Sequence, residues 1–349
     1  MRTALITAGG RATRLRPITH TINKHLIPLA GKPMIEHVIE KVVAAGIDDI
    51  IINVNPGEQE LQRVLGDGSR WNVRVRYVEQ EGGPLGLAHI VRNAQPHIGD
   101  VPFLFILGDN LILGDLRPLV ERFRKEQLDM GLVFARVDDP RQFGVGEFVD
   151  GKLVRIHEKP SDPPSNLAQT GIYCYSPRIF DAVRRIEPSA RGEYEISDAN
   201  SLLIADGARF HWEEMTGYWK DTGKPEDLLE GNQLLLSVSE FTREIDSASI
   251  DPAATIQGRV QIGEGTRIEG CTLIRGPVSI GRNCTIRGSY IGPYTSIGNG
   301  VEVMGTEVEH SIVFDEARIV SGKRIVDSIV GFRASVVPTG GVRPTGHRL

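Results

Sequence analysis

The chain has 349 residues, an ordinary globular composition with 40% hydrophobic and 24% charged residues, and a net charge of −5. That length allows two or more domains, and the lack of a basic excess argues against a nucleic-acid partner. The cysteines Cys174, Cys271 and Cys284 lie far apart with no CxxC pattern; we expect buried thiols in a reducing compartment, with no disulfide framework or zinc site. No apolar run approaches a membrane span, and the N-terminus runs straight into a strand pattern. The expectation is a soluble, cytoplasmic protein with no membrane partner.

In chain order, Thr3–Ala8 is a short apolar strand ending in Gly9-Gly10. Arg11, Thr13, Arg14 and Arg16 follow, then Lys24, which Pro28 and Pro33 keep in an extended loop. A buried strand ending in paired glycines brings backbone N–H groups close to a phosphate, and the basic residues supply its counter-charge. Helical spacing of Ile35, Val38, Ile39, Val42 and Val43 predicts a helix over Met34–Ala45 that stops at Gly46. Ile50–Val54 reads as a buried parallel strand, Glu58–Leu65 as helix and Val73–Val78 as strand. This alternation argues for a doubly wound α/β sheet.

A turn-rich stretch, Glu79–Ala88, leads into a helix to about Asn93. Val101–Leu107 is a strongly apolar strand ending in Gly108-Asp109-Asn110. A carboxylate at the C-terminal end of a central strand sits where open α/β sheets bind ligands, and magnesium favours carboxylates combined with phosphates. Gly114–Glu126 reads as helix, Gly131–Val137 as strand, Phe143-Gly144-Val145 as loop and Leu153–His157 as strand before Glu158-Lys159-Pro160. Thr170–Tyr175 alternates like a strand, Ile179–Arg185 and a segment ending near Ala205 read as helices, and Asp227–Ser239 as a last helix.

From Ile256 the aliphatics recur every six residues: Ile256, Ile262, Ile268, Ile274, Ile280 and Ile286. After a five-residue step the period resumes at Ile291, Ile297 and Val303, then fades through Ile312, Ile319, Ile325 and Ile329. This is the hexapeptide repeat of a parallel β-helix, three units closing one triangular coil. The expected domains are 1–240, 241–337 and a loose Gly/Pro-rich tail at 338–349.

The opening stretch, Gly9-Gly10-Arg11-Ala12-Thr13-Arg14-Leu15-Arg16-Pro17-Ile18-Thr19, then Lys24-His25-Leu26-Ile27-Pro28 and Lys32-Pro33-Met34-Ile35, resembles that of the sugar-1-phosphate nucleotidylyltransferases. The similarity is greatest to the long-form glucose-1-phosphate thymidylyltransferases and runs from residue 1 to roughly 235. Ala12 replaces the family's third glycine and would strain the loop wherever φ > 0 is needed. The resemblance implies a Rossmann-like, mostly parallel nucleotidyltransferase sheet and a left-handed β-helix. It implies that Gly9, Gly10, Thr13, Gln80 and Gly86 bind the nucleotide, Gln80 reading the imide edge of the base. Asp109 and Asp221, the latter within Trp219-Lys220-Asp221-Thr222-Gly223, would hold Mg²⁺. Asn110, Gly144, Glu158, Lys159, Thr170, Gly171, Tyr173 and Arg191 would hold the sugar phosphate. Arg14, Lys24, Lys159 and Asp109 would be catalytic. Glu195 and Asp198 would brace the loop of Arg191 or begin the next helix.

The activity implied joins dTTP and α-glucose-1-phosphate into dTDP-glucose and pyrophosphate, for deoxysugar and polysaccharide synthesis. One glutamine does not separate thymine from uracil, so a uridylyltransferase is the rival. Hexapeptide domains can also carry acyl transfer, which needs a histidine. Only His310 lies in the fading repeats and His347 in the tail, so an oligomerisation module in a homo-oligomer is the favoured reading. A silent regulatory homologue would lack Asp109, Lys24, Arg14 or Asp221, and all four are present.

Overall fold

The computed structural model describes residues 1–10, 12–241, 243–320 and 323–338. They divide into two compact units. The first comprises 1–12, 23–26 and 34–221; the second comprises 13–22, 27–33 and the chain from Thr222 onward.

The first unit is built on a nine-stranded sheet. Its parallel half takes β1 (Thr3–Thr7), β2 (Asp49–Val54), β3 (Arg74–Glu79) and β4 (Phe103–Leu107) in the order β4-β1-β2-β3. Helices α1 (Met34–Ala44), α2 (Glu60–Leu65) and α3 (Leu87–Ile98) connect these strands. The predicted elements fall within a few residues of these bounds, except that α3 runs five residues beyond Asn93 and carries Pro96 inside it. The chain moves outward from β1 to β3, then returns to place β4 on the other side of β1. The strand order therefore reverses at the β1/β4 junction, which is where such sheets bind ligands.

The other half contains β6 (Met130–Arg136), β7 (Gly144–Val149), β8 (Lys152–Glu158), β9 (Leu167–Tyr175) and β10 (Phe210–Glu214). A short pair stands apart, β5 (Asn110–Ile112) with β11 (Trp219–Asp221). Helices α4 (Arg117–Lys125), α5 (Ile179–Arg185) and α6 (Ile196–Ala205) complete the unit. Strand β9 pairs antiparallel with β4, β6 and β7. All nine of its residues are buried, so the expected alternation is not observed: neighbours on both edges and cover on both faces bury every position. Gly144-Val145, read as loop, instead begins β7, because pairing with β8 overrides the weak strand propensity of Gly-Val-Gly.

In the second unit, parallel strands from Arg243 to Val336 stack into sheets of six, six and five strands, forming the β-helix. Each side carries an aliphatic column. Ile245, Ile262, Ile280, Ile297, Val313 and Val330 are successive register partners on one side. Ile250, Ile268, Ile286, Val303, Ile319 and Val336 make the second, and Ile256, Ile274, Ile291, Val308 and Ile325 the third. The repeat fades in sequence but not in structure: shorter coils break the six-residue period, Ile319 and Ile325 still reach their columns, and Val313 and Val330 take the places expected of Ile312 and Ile329.

Helix α7 (Pro225–Val238) belongs to this unit rather than to the sheet, so the compact units part earlier than the expected boundary at 240. Buried Asn232 explains the grouping. Its Oδ1 accepts from Ala30 N at 2.8 Å and Ser296 Oγ at 2.6 Å, and its Nδ2 donates to Tyr294 O at 3.0 Å. Cys174 and Cys284 are buried, but Cys271 is exposed, contrary to expectation, because it follows Gly270 at a corner of the coil. Residues 339–349, most of the expected tail including His347, lie outside the described residues.

Candidate functional site

The nucleotide-loop residues of the first unit gather at the C-terminal ends of β1 to β3. Gly10 has φ +107 and donates its N–H to Asn55 Oδ1 at 3.0 Å. A Cβ on Gly9 would stand 3.2 Å from Asn55 Oδ1 and 3.8 Å from Gln80 Oε1, so the glycine loop and Gln80 share one corner. Gln80 is 3% exposed. Its Nε2 lies 3.2 Å from Nδ1 of buried His89 on α3. Burial, then the Arg92 charge, hold His89 below its ordinary pKa, so the neutral ring accepts from the amide and turns the Gln80 oxygen toward Gly9. His89 was not singled out in the sequence; its signal was only a histidine two residues past Leu87. Gly86, at φ +99, starts α3 against Tyr194, whose backbone O and N leave no room for a Cβ.

Ala12 adopts φ +42, so the replacement of glycine by alanine does strain this loop. Thr13 and Arg14 are exposed on a 3₁₀ turn, Thr13–Leu15, that belongs to the second unit; Arg11 lies outside the described residues. Lys24 is on a 3₁₀ turn, Lys24–Leu26, rather than in an extended loop. The Asn23 side chain closes that turn, its Oδ1 accepting from His25 N at 2.8 Å.

Lys24 Nζ reaches Asp109 Oδ2 at 2.6 Å. Burial pushes the Asp109 carboxyl up, but the Lys24 ammonium, His25 and the Lys24 hydrogen bond outweigh it and hold the group below the usual range. His25, fully buried beside this pair, is pushed down by burial to about 4, so it is neutral at pH 7. Asp221 stands opposite Asn110 in the β5/β11 register, next to Asp109 in sequence. Both carboxylates line a cavity of about 190 Å³. Two carboxylates on one cavity would suit Mg²⁺, which takes one or two of them plus phosphate oxygens.

The same cavity is lined by Asn110, Gly144, Glu158, Lys159, Thr170, Gly171 and Tyr173, seven of the eight residues assigned to the sugar phosphate. A register shift between Gln169 and Tyr173 bulges β9, with Gly171 at φ +76, and turns this segment toward the cavity. The Thr170 carbonyl accepts from Asn110 Nδ2 at 2.6 Å and Trp219 Nε1 at 2.9 Å. Trp219 packs edge-on against Phe143, 5.7 Å between centroids. Lys159 adopts φ +43, a strained conformation fixed by its N–H bond to Phe143 O at 2.9 Å. Burial pushes the Glu158 carboxyl above its usual range, against the opposing hydrogen bond from Ser197.

Arg191 is not a lining residue. Its guanidinium bonds Glu195 at 2.8 Å and Glu158 at 3.2 Å, so it reaches the cavity through Glu158. Glu195 is the residue before α6 and also accepts from Ser189 Oγ at 2.6 Å, and Asp198 lies in the first turn of α6. Gln142, Gln169, Ser197, Leu87, Leu107 and Ile196 also line the cavity and were not foreseen. A more open hollow of about 910 Å³ lies at the opposite, N-terminal ends of the parallel strands, among the Arg2–Asp48 and Arg74–Asp49 ion pairs. It gathers none of the motif residues.

The residues 3–238 match the Nucleotidyl transferase family model. The chain belongs to this family. It is 42% identical over 348 residues to a glucose-1-phosphate thymidylyltransferase of Streptomyces antibioticus, covering 99% of this chain and 96% of that protein. It is 41% identical, with the same coverage, to the low-salt glycan biosynthesis nucleotidyltransferase Agl11 of Haloferax volcanii. A UTP–glucose-1-phosphate uridylyltransferase of that organism, AglF, is 35% identical over 235 residues, 66% of this chain and 96% of AglF. A solved Bacillus anthracis structure named for glucose-1-phosphate thymidylyltransferase, in complex with sucrose, matches at TM-score 0.64 and 35% identity, over 69% of this chain and 98% of that one.

Proposed function

We propose that the protein transfers a thymidylyl group from dTTP to α-glucose-1-phosphate, giving dTDP-glucose and pyrophosphate. The observation that carries the reading is the convergence of Asp109, Asp221, Lys159 and the hexose-pocket residues on one cavity. Two relatives named for this reaction match 99% of the chain.

In this reaction a phosphate oxygen of the sugar attacks the α-phosphorus in line, and pyrophosphate leaves. The nucleophile is already an anion, so no general base is required, and catalysis is positioning plus charge compensation. Asp109 and Asp221 would hold Mg²⁺, which neutralises charge developing on the phosphates. Lys24, through its contact with Asp109, fixes that carboxylate and adds positive charge beside it. Lys24 compensates the leaving pyrophosphate, and Lys159 holds the attacking phosphate. Arg191 orients Glu158 and lends its charge to that phosphate. Gly9, Gly10 and Gly86 place the nucleotide, and Gln80 takes the base.

The test is pyrophosphate release with Mg²⁺ and glucose-1-phosphate against dTTP, UTP, GTP, CTP and ATP in turn. A clear preference for dTTP supports the reading. Preference for UTP keeps the chemistry and moves the base, as the similarity to AglF allows. No release with any pair, repeated with other sugar phosphates, overturns it.

A further inference from the structure

Gln169 is the one cavity-lining side chain of β9 that no motif accounts for. It is 6% exposed. Its Oε1 lies 2.9 Å from Ser197 Oγ, while its Nε2 has no partner. Ser197 is completely buried, and its Oγ also lies 2.7 Å from Glu158 Oε2. A serine hydroxyl carries one proton. Of the two acceptors, the carboxylate is the nearer and the charged one, and charge-assisted bonds are the stronger. Ser197 therefore donates to Glu158, and the Gln169 amide turns its N–H to Ser197 Oγ. Whichever way the amide is turned, one of its polar atoms is left without a partner inside the protein.

The surroundings are shaped for this pair. A Cβ on Gly144 would collide with both Ser197 Oγ and Gln169 Oε1, so Gly144 makes the room they occupy. The β9 register shift begins at Gln169, which sets this side chain on the cavity wall. A buried amide atom left unpaired carries the full penalty of its lost hydration. A ligand hydroxyl, which both donates and accepts, removes that penalty in either amide orientation.

We infer that Gln169, aligned by Ser197, is a specificity-determining residue that reads one hydroxyl of the hexose-1-phosphate. The inference rests on the proposed function. It makes the polar relay Gln169–Ser197–Glu158 a device that rejects sugars lacking that hydroxyl, since the loss leaves a buried polar group unpaired.

The experiment measures kcat/KM for glucose-1-phosphate and for its 2-, 3-, 4- and 6-deoxy analogues, using the full chain and the best nucleotide. Wild type should disfavour one analogue by about 10- to 100-fold. Gln169→Leu, close in size but unable to hydrogen-bond, should slow glucose-1-phosphate and bring that one ratio within about 3-fold of unity. KM for the nucleotide should hold. Ser197→Ala, which deletes a single hydroxyl, should weaken the same ratio and serves if Gln169→Leu folds poorly. A merely structural role would slow every sugar alike. Unchanged ratios in both variants, or no discrimination by wild type, overturn the inference while turnover itself upholds the proposed function. No turnover by wild type with any pair overturns the proposed function, and this inference with it.

Discussion

Strand β9 and the strands of the β-helix bury their side chains in opposite ways. All nine residues of β9 are buried, and its register breaks between Gln169 and Tyr173. A β-helix strand such as Thr285–Arg287 buries its middle aliphatic fully and repeats that pattern coil after coil. One region is an exception at nearly every position; the other is one rule applied many times. Where the backbone departs from the rule, polar groups turn inward and can meet a ligand. Where it keeps the rule, the column positions are aliphatic and hold the fold.

If that contrast is right, substitutions in the two regions separate activity from stability. The largest effect should come from Asp109→Asn and Asp221→Asn. Each should lower turnover by about 100-fold or more at any magnesium concentration, as removal of one charge-stabilising group does elsewhere. Near-normal pyrophosphate release by Asp109→Asn would remove it from the metal site. Ile286→Ala should do the reverse. Its side chain is completely buried in a β-helix column, so the cavity left behind should cost about 2–5 kcal/mol, read as a lower calorimetric transition with kcat retained.

A third, smaller effect belongs to the first unit alone. His25 titrates at about 4 in the folded protein, against an ordinary value near 6.5. Below about pH 6.5 the unfolded chain binds a proton that the folded chain refuses. Stability should therefore fall as pH drops from about 6.5 to 4, by up to about 3 kcal/mol, and the lowered Asp109 extends the loss below its ordinary carboxylate range. Urea midpoints of metal-free protein across this window would show the fall, and His25→Gln should flatten it. The smallest effect is expected of Ala12→Gly. Relieving φ +42 at Ala12 should stabilise by about 0.5–1 kcal/mol after the entropy of glycine is counted; a lower melting temperature would show that the loop tolerates alanine without strain.

The same contrast governs what could be read from residues alone. The β-helix was legible because its packing has a period, and six-residue spacing from Ile256 onward maps directly onto the columns. Where the spacing slipped the reading went one residue astray, taking Ile312 and Ile329 for Val313 and Val330, since both neighbours are aliphatic. Most of the cavity was legible through contiguous motifs such as Asp109-Asn110 and Thr170-Gly171. Gln169, Ser197 and His25 were not, because each matters through a partner distant in sequence: Ser197 lies 28 residues from Gln169 and 39 from Glu158. The β7 strand was missed for a related reason, since its pairing with β8 is what makes Gly-Val-Gly extended. The grouping of α7 with the β-helix depends on Asn232, whose three bonds to segments far along the chain leave no local trace.

The aliphatic columns also limit how this domain can change in evolution. Ile262, Ile280, Ile297, Val313 and Val330 are vertical neighbours, so one coil takes 18, 17, 16 or 17 residues. The variation is absorbed at corners, which lose or gain a residue without moving the next aliphatic. Inside a strand the loss of one residue would exchange the two faces and carry an arginine such as Arg287 toward the axis. Insertions and deletions are thus confined to the corners or to complete turns. A gene that drops some seventeen codons in register would perturb the protein less than one that drops a single codon mid-strand.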